Sequence, residues 1–217
     1  MKFENKIICG DCLEVMKDWP DGCVDLVLTD PPYGIGTGKQ PVGRNGLVWG
    51  VQEWDKQPIS QELLDLTRNK GICQIIWGAN YYTMPPSRCW LIWDKKQPAE
   101  WYSTAHFEMA WTNMAKNAHA FRQSQVEAYS RMDKRHPSQK PLELILWCIG
   151  ESTQSDIILD PFCGSGTTCV AAKMLGRRYI GIDISEEYCQ IARDRLRAVD
   201  TGVPVKEARA GQGALFE

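Results

Sequence analysis

Val24-Asp25-Leu26-Val27-Leu28-Thr29-Asp30-Pro31-Pro32-Tyr33-Gly34 is an apolar run that stops at a carboxylate, two prolines and an aromatic ring. Its shortness, its β-branched residues and the turn formers that end it predict a buried parallel strand. Asp30 then stands at the strand's carboxyl end, the edge at which open α/β sheets bind ligands. Pro31 and Pro32 fix two φ angles and remove two N–H donors, so Asp30 and Tyr33 are held in a stiff, extended turn with free backbone carbonyls.

Such a turn suits one kind of chemistry. The exocyclic amine of a nucleobase is a poor nucleophile because its lone pair is delocalised into the ring. A carboxylate and a carbonyl that accept its two N–H bonds favour a pyramidal nitrogen whose lone pair can attack. The Tyr33 ring offers a flat face for a planar base, worth roughly 1–3 kcal/mol in single-strand binders. The same residues also describe a plain strand ending in a Pro-Pro turn with a capping Asp. The rest of the chain decides between the two.

At 217 residues the chain is the size of one domain, read here as spanning 1–217, and can bury a full core. Its 43% hydrophobic and 24% charged content is that of an ordinary globular protein. Met1 to Lys6 leads straight into a short strand, and no apolar run approaches the roughly 18 residues that a membrane span needs, so a cytoplasmic protein is expected. Nine cysteines, odd in number and mostly within apolar patterns, as Cys73, Cys148 and Cys169 are, read as reduced thiols. Cys9 and Cys12 make a single C-x-x-C without a second pair, and no metal is expected. A net charge of −2 and pI near 6.0 argue against a chain that lives on nucleic acid, though not against one that visits it.

Lys6 to Cys9 reads as a strand, Cys12 to Trp19 as a helix, and the central strand follows, a β-α-β unit. Asp11 closes its first strand and fits equally a helix N-cap or an acceptor for a ligand amino group. Residues 34–57, rich in glycine and polar side chains, make a long loop directly after Tyr33, a lid or an arm to a substrate. A helix from Ile59 to Asn69 and strands at Ile72–Trp77 and Cys89–Trp93 follow, and Phe107–Trp111 reads as an antiparallel edge strand. Residues 112–135 show little apolar periodicity and interleave Lys116, Arg122, Arg131, Lys134 and Arg135 with aromatic side chains. That pattern suits phosphate contact as well as a solvated face.

His136-Pro137-Ser138-Gln139-Lys140-Pro141 opens a helix, with Ser138 as the expected N-cap. A strand ends at Asp160, a Gly-rich turn Pro161-Phe162-Cys163-Gly164-Ser165-Gly166-Thr167 leads into a helix, and a further strand ends at Asp183. Ser185 caps the last helix. Strand, Gly-x-Gly turn, helix, strand and acidic residue are the first half of a nucleotide-binding α/β fold, with Asp183 placed for ribose hydroxyls. The third glycine of the dinucleotide pattern is missing, which speaks against NAD. Asp160 beside the turn would repel a diphosphate but suits a sulfonium or an ammonium, and S-adenosylmethionine carries both.

With both constellations in view, the chain resembles the DNA amino-methyltransferases that modify adenine N6 or cytosine N4. Asp30-Pro31-Pro32-Tyr33, His136 to Pro141, Asp160 to Thr167 and Gly181-Ile182-Asp183-Ile184-Ser185 match the family's motifs, in the order of its circularly permuted β class. The resemblance runs from about Ile7 to Leu196 and implies an α/β fold, Rossmann-like and S-adenosylmethionine-dependent. Its sheet is mostly parallel and seven-stranded, with one antiparallel strand and order 3-2-1-4-5-7-6. By the same resemblance, Asp30 and the Pro31 carbonyl hold the target amine, with Pro32 and Tyr33 completing the catalytic turn and Tyr33 stacking on a flipped base. Asp11 meets the cofactor adenine and Asp183 its ribose, in place of the family's common glutamate. Phe162, Gly164, Ser165, Gly166 and Thr167 line the cofactor cleft with Asp30 and Asp160, and Ser138, Gln139 and Lys140 hold the methionine part.

The implied partner is double-stranded DNA, contacted by Lys39, Arg44, Arg122, Arg131 and Arg135 on the segments 34–57 and 112–135. Pairing of two copies and partnership with a restriction nuclease stay open. Only about two dozen residues stand where larger members carry a target-recognition region, which leaves sequence selectivity open. Adenine is the first expectation for the target. Cytosine N4 methylation, or a subunit that binds DNA and cofactor without catalysing, are the alternatives.

Overall fold

The computed structural model describes residues 3–34, 57–97, 105–130, 139–152 and 155–202. Strand β2, Val24–Thr29, runs through the middle with five of its six residues buried, as its unbroken apolar pattern demands. On one side it pairs in parallel with β7, Ile157–Asp160, which pairs with β8, Arg178–Asp183, and then β1, Lys6–Cys9. On the other side stand β3, Gly71–Trp77, then β5, Phe107–Thr112, then β4, Trp90–Asp94, and at the edge β6, His119–Arg122.

The order β1-β8-β7-β2-β3-β5-β4-β6 contains the expected seven-strand order and adds an eighth strand. β5 is the antiparallel one, but it lies between β3 and β4 and not at the edge. Its side chains from Ala110 to Thr112 are buried, which an edge position would not allow. The segment 112–135, read as a loop, supplies β6 and the short helix α3, Gln125–Ser130, over its described part. Four residues with exposed side chains at three positions gave no periodic signal to find β6 by.

Helices cover both faces. α4, Leu142–Glu151, α5, Thr167–Met174, and α6, Glu186–Thr201, pack side by side on one face, burying Leu144, Ala171 and Ala192 against Leu26, Ile75 and Leu91. α1, Cys12–Met16, and α2, Gln61–Asn69, cover the other with Met16 and Leu64. Side-chain caps start three of these helices: Asp11 accepts from the Leu13 N–H, Ser60 from Leu63 and Ser185 from Tyr188. α4 begins instead at Pro141, without a side-chain cap, so the N-cap expected at Ser138 is not there. Pro141, with its ring-fixed φ of −58°, has no side-chain oxygen to accept from the first turn.

Because the parallel strands run the same way, Asp11, Asp30, Asp94, Asp160 and Asp183 all gather at one edge of the sheet. No described helix is long and apolar enough to cross a membrane.

Candidate active site

Asp30 leaves β2 at the centre of that edge. One carboxylate oxygen accepts the Tyr33 hydroxyl and the other takes the Lys140 ammonium. Lys140 also lies 3.3 Å from the Tyr33 oxygen and 3.2 Å from Glu108 Oε2. Its three N–H donors thus meet three acceptors. A surface lysine, or one held in reserve for the cofactor's carboxylate, does not fit this geometry, because Lys140 is buried and its protons are taken within the protein. Burial alone would lower its pKa, but Asp30 and Glu108 outweigh that and hold it well above the ordinary lysine range. Burial raises the Asp30 carboxyl, with Lys140 opposing and Glu108 adding to the rise. The Tyr33 phenol is pushed well up by burial and by the Asp30 charge, so it stays a neutral donor.

The turn itself is fixed from outside. The Pro32 carbonyl accepts the Tyr82 hydroxyl and, at 3.3 Å, the Ile59 N–H; among the described residues nothing donates to the Pro31 carbonyl. Tyr33 stacks on Tyr81 with centroids 4.9 Å apart and planes 13° from parallel. The ring expected to stack on a base is thus backed by Tyr81.

The second constellation forms around the Gly-rich turn. Asp160 is buried; its Oδ1 accepts the Thr29 hydroxyl at 2.7 Å and the Phe162 N–H at 3.2 Å. Burial pushes its carboxyl up to about 6 although Thr168, Thr29 and Phe162 donate to it. Asp183 accepts the Gly164 N–H at 2.8 Å and the Ser185 N–H at 2.9 Å, so it shapes the turn from below. Ile184, next to it, is 70% exposed, an apolar surface beside the acid that the sequence reading passed over. Gly166 has φ +78°, and a Cβ on it would stand 2.6 Å from the Ala192 Cβ: this glycine is needed for the close approach of α6.

Gln139 joins the halves, its side-chain oxygen accepting the Ser165 hydroxyl at 3.1 Å. Arg195, also missed by the sequence reading, donates to the Ser165 carbonyl at 2.6 Å and to Thr167 Oγ1 at 3.0 Å. Asp11 sits at the β1–α1 turn as the cap of α1. This donor set fits S-adenosylmethionine: carboxylates at Asp11, Asp160 and Asp183 for a cation and ribose hydroxyls, with an exposed apolar side chain for a ring.

Arg122 lies at the carboxyl end of β6, on the same edge as Asp30, and pairs with Asp94 at 3.3 Å while remaining 74% exposed. Lys39, Arg44, Arg131, Arg135 and Ser138 lie outside the described residues. Cys9 gathers with Glu186 and Cys189, their ligand atoms within 4.8 Å of one another; Cys12 is not in that group and is buried at the start of α1.

A family model described as DNA methylase, of the N6/N4 type, matches residues 51–194, which include the His136-to-Pro141 segment, the Gly-rich turn and Asp183. The YubD protein of Escherichia coli K12 is 32% identical and aligns over 90% of this chain and 91% of its own length, a span long enough to take in most of the sequence on both sides of that match. The type II methyltransferase M.HinfI of Haemophilus influenzae is 29% identical over 91% of this chain and 69% of its own. Among solved structures, the M1.HpyAVI–SAM complex superposes with a TM-score of 0.58 at 26% identity, covering 88% of this chain and 99% of that one.

Proposed function

Since the chain belongs to the N6/N4 family of DNA methylases, which are S-adenosylmethionine-dependent methyltransferases, we propose that it methylates the N6 amino group of adenine in a base flipped out of double-stranded DNA. The observation that carries this reading is the carboxylate of Asp30 beside the Pro31 carbonyl at a strand's carboxyl end, in a turn fixed by Tyr82 and Ile59. The two oxygens accept the two amine N–H bonds and turn the nitrogen lone pair outward. The cofactor supplies an electrophilic methyl group on a sulfonium. As the C–N bond forms and the C–S bond breaks, Asp30 stabilises the positive charge that grows on nitrogen, and a proton leaves the amine to Asp30 or water.

Positioning is the larger share of such catalysis, and the stiff Pro-Pro turn supplies it. Tyr33 is proposed to stack on the flipped base, with Tyr81 backing its ring. Lys39, Arg44, Arg122, Arg131 and Arg135 are proposed to contact the phosphates. Bacterial cytoplasm is the proposed setting.

The test is expression in a methylation-free host followed by nucleoside analysis of its DNA. N6-methyladenine supports the reading, N4-methylcytosine overturns the target base, and unmodified DNA overturns the activity.

A further inference from the structure

Four charged side chains from four parts of the fold make one chain at the site. Lys95, just after β4, lies 2.6 Å from Glu108 Oε1 on β5; Glu108 Oε2 lies 3.2 Å from Lys140, before α4; and Lys140 holds Asp30, after β2. Lys95 and Lys140 are buried, at 6% and 9% side-chain exposure, so water does little to screen the line. Tyr33 completes it as a neutral donor, and Asp160 is the remaining acid that faces Asp30. None of the sequence motifs contains Glu108 or Lys95.

We propose that Glu108 is a positioning residue for methyl transfer: acting through Lys140, it holds Asp30 in place and balances the charge that faces the target amine. The proposal rests on Asp30 as the amine's acceptor. Lys140 anchors one oxygen of Asp30 and the Tyr33 hydroxyl the other, which together fix the carboxylate plane and leave the second lone pair of Oδ1 for the amine. Taken alone, that ammonium opposes catalysis, because the amine nitrogen becomes cationic a few ångströms away. Glu108 cancels it. Lys95 in turn holds Glu108 ionised: burial would raise this carboxyl, but Lys140 and Lys95 together bring it down to about 2. With two cations and two anions the line is neutral before reaction, and only the transferred methyl group brings new charge.

Removing members of the line therefore has opposite signs. Glu108→Gln leaves a net positive line, gives Asp30 the whole of Lys140 and makes it a weaker base. Lys95→Met leaves a net negative line and makes Asp30 a stronger one. The experiment is single-turnover methyl transfer from radiolabelled S-adenosylmethionine to unmethylated plasmid DNA across pH 5 to 9. Cofactor affinity is measured alongside by calorimetry.

Expected for Glu108→Gln is a rate lowered roughly ten- to a hundredfold with cofactor affinity kept, the acid limb of the profile moved to lower pH, and recovery in Glu108→Asp. Expected for Lys95→Met is an acid limb moved to higher pH. Limbs that stay put, or move the same way in both variants, overturn the proposal and leave a purely structural pair. If Glu108→Gln does not fold, the direction in Lys95→Met decides alone. Asp30→Asn runs in parallel: turnover retained there sinks the reading of Asp30 itself, whereas turnover lost there with unmoved limbs sinks only the role of Glu108.

Discussion

Gly78 lies flat against the ring of Tyr33: a Cβ on Gly78 would stand 2.1 Å from Tyr33 Cε1, and its φ of +64° is one that other residues rarely adopt. Tyr33 is therefore seated on bare backbone just after β3. Gly78→Ala is expected to cost about 1–3 kcal/mol in backbone strain and to push Tyr33 off its seat. Cofactor binding should survive while transfer to DNA falls at least about tenfold. Calorimetry and a transfer assay on the same preparation check this; wild-type transfer would mean that the seat is irrelevant.

Asp183 is expected to serve the cofactor and the turn together, since both its oxygens already accept the N–H groups of Gly164 and Ser185. Replacing it by Ala removes charged hydrogen bonds worth about 1.5–3 kcal/mol each, so S-adenosylmethionine affinity should drop roughly ten- to a hundredfold or more. Asp183→Glu, which keeps an acceptor for the same donors, should lose less. Equal affinity in Asp183→Ala and wild type would remove it from the cofactor site.

Asp160 gives a pH signature. Its carboxyl in the folded chain, at about 6, lies above the ordinary 3.8, so its neutral form favours the fold. That contribution is complete below about pH 4 and is lost as pH rises through about 6, and it amounts to about 3 kcal/mol at most. Asp160→Asn should make the cofactor-free protein more stable than wild type at pH 7.5 and no more stable at pH 4, by urea unfolding. It should also weaken cofactor binding if the carboxylate faces the sulfonium. A pH-independent difference would argue against burial as the cause.

Gly166 and Ala192 form a testable contact between the turn and α6. Gly166→Ala should destabilise by about 2 kcal/mol or more, from strain at φ +78° and from the 2.6 Å approach to the Ala192 Cβ. Adding Ala192→Gly should restore the part due to the clash and leave the strain. Thermal melts of the four combinations measure that coupling.

The acidic strand ends were readable from residue order because a parallel strand's apolar run and its turn formers are local signals. Asp30, Asp160 and Asp183 each end such a run, and the sheet aligns them at one edge. The Ser185 and Asp11 caps were readable for the same reason, a short polar side chain just ahead of a helical pattern. β6 was not, since four half-exposed residues carry no period. Nor did its own residues give the inner position of β5, which came only with the seven-strand order that the resemblance implies, because sheet order depends on pairings between residues far apart in the chain.

The motifs by themselves determined the fold class, the two constellations and the chemistry each suits, since these follow from residue types a few positions apart. Only the tertiary structure decided how the constellations are wired. It brought Lys140 across 110 positions to Asp30, used up its charge inside the protein, and set Glu108 and Lys95 behind it. Charge pairing acts through space at a few ångströms, and no sequence spacing encodes which buried ammonium will find which carboxylate.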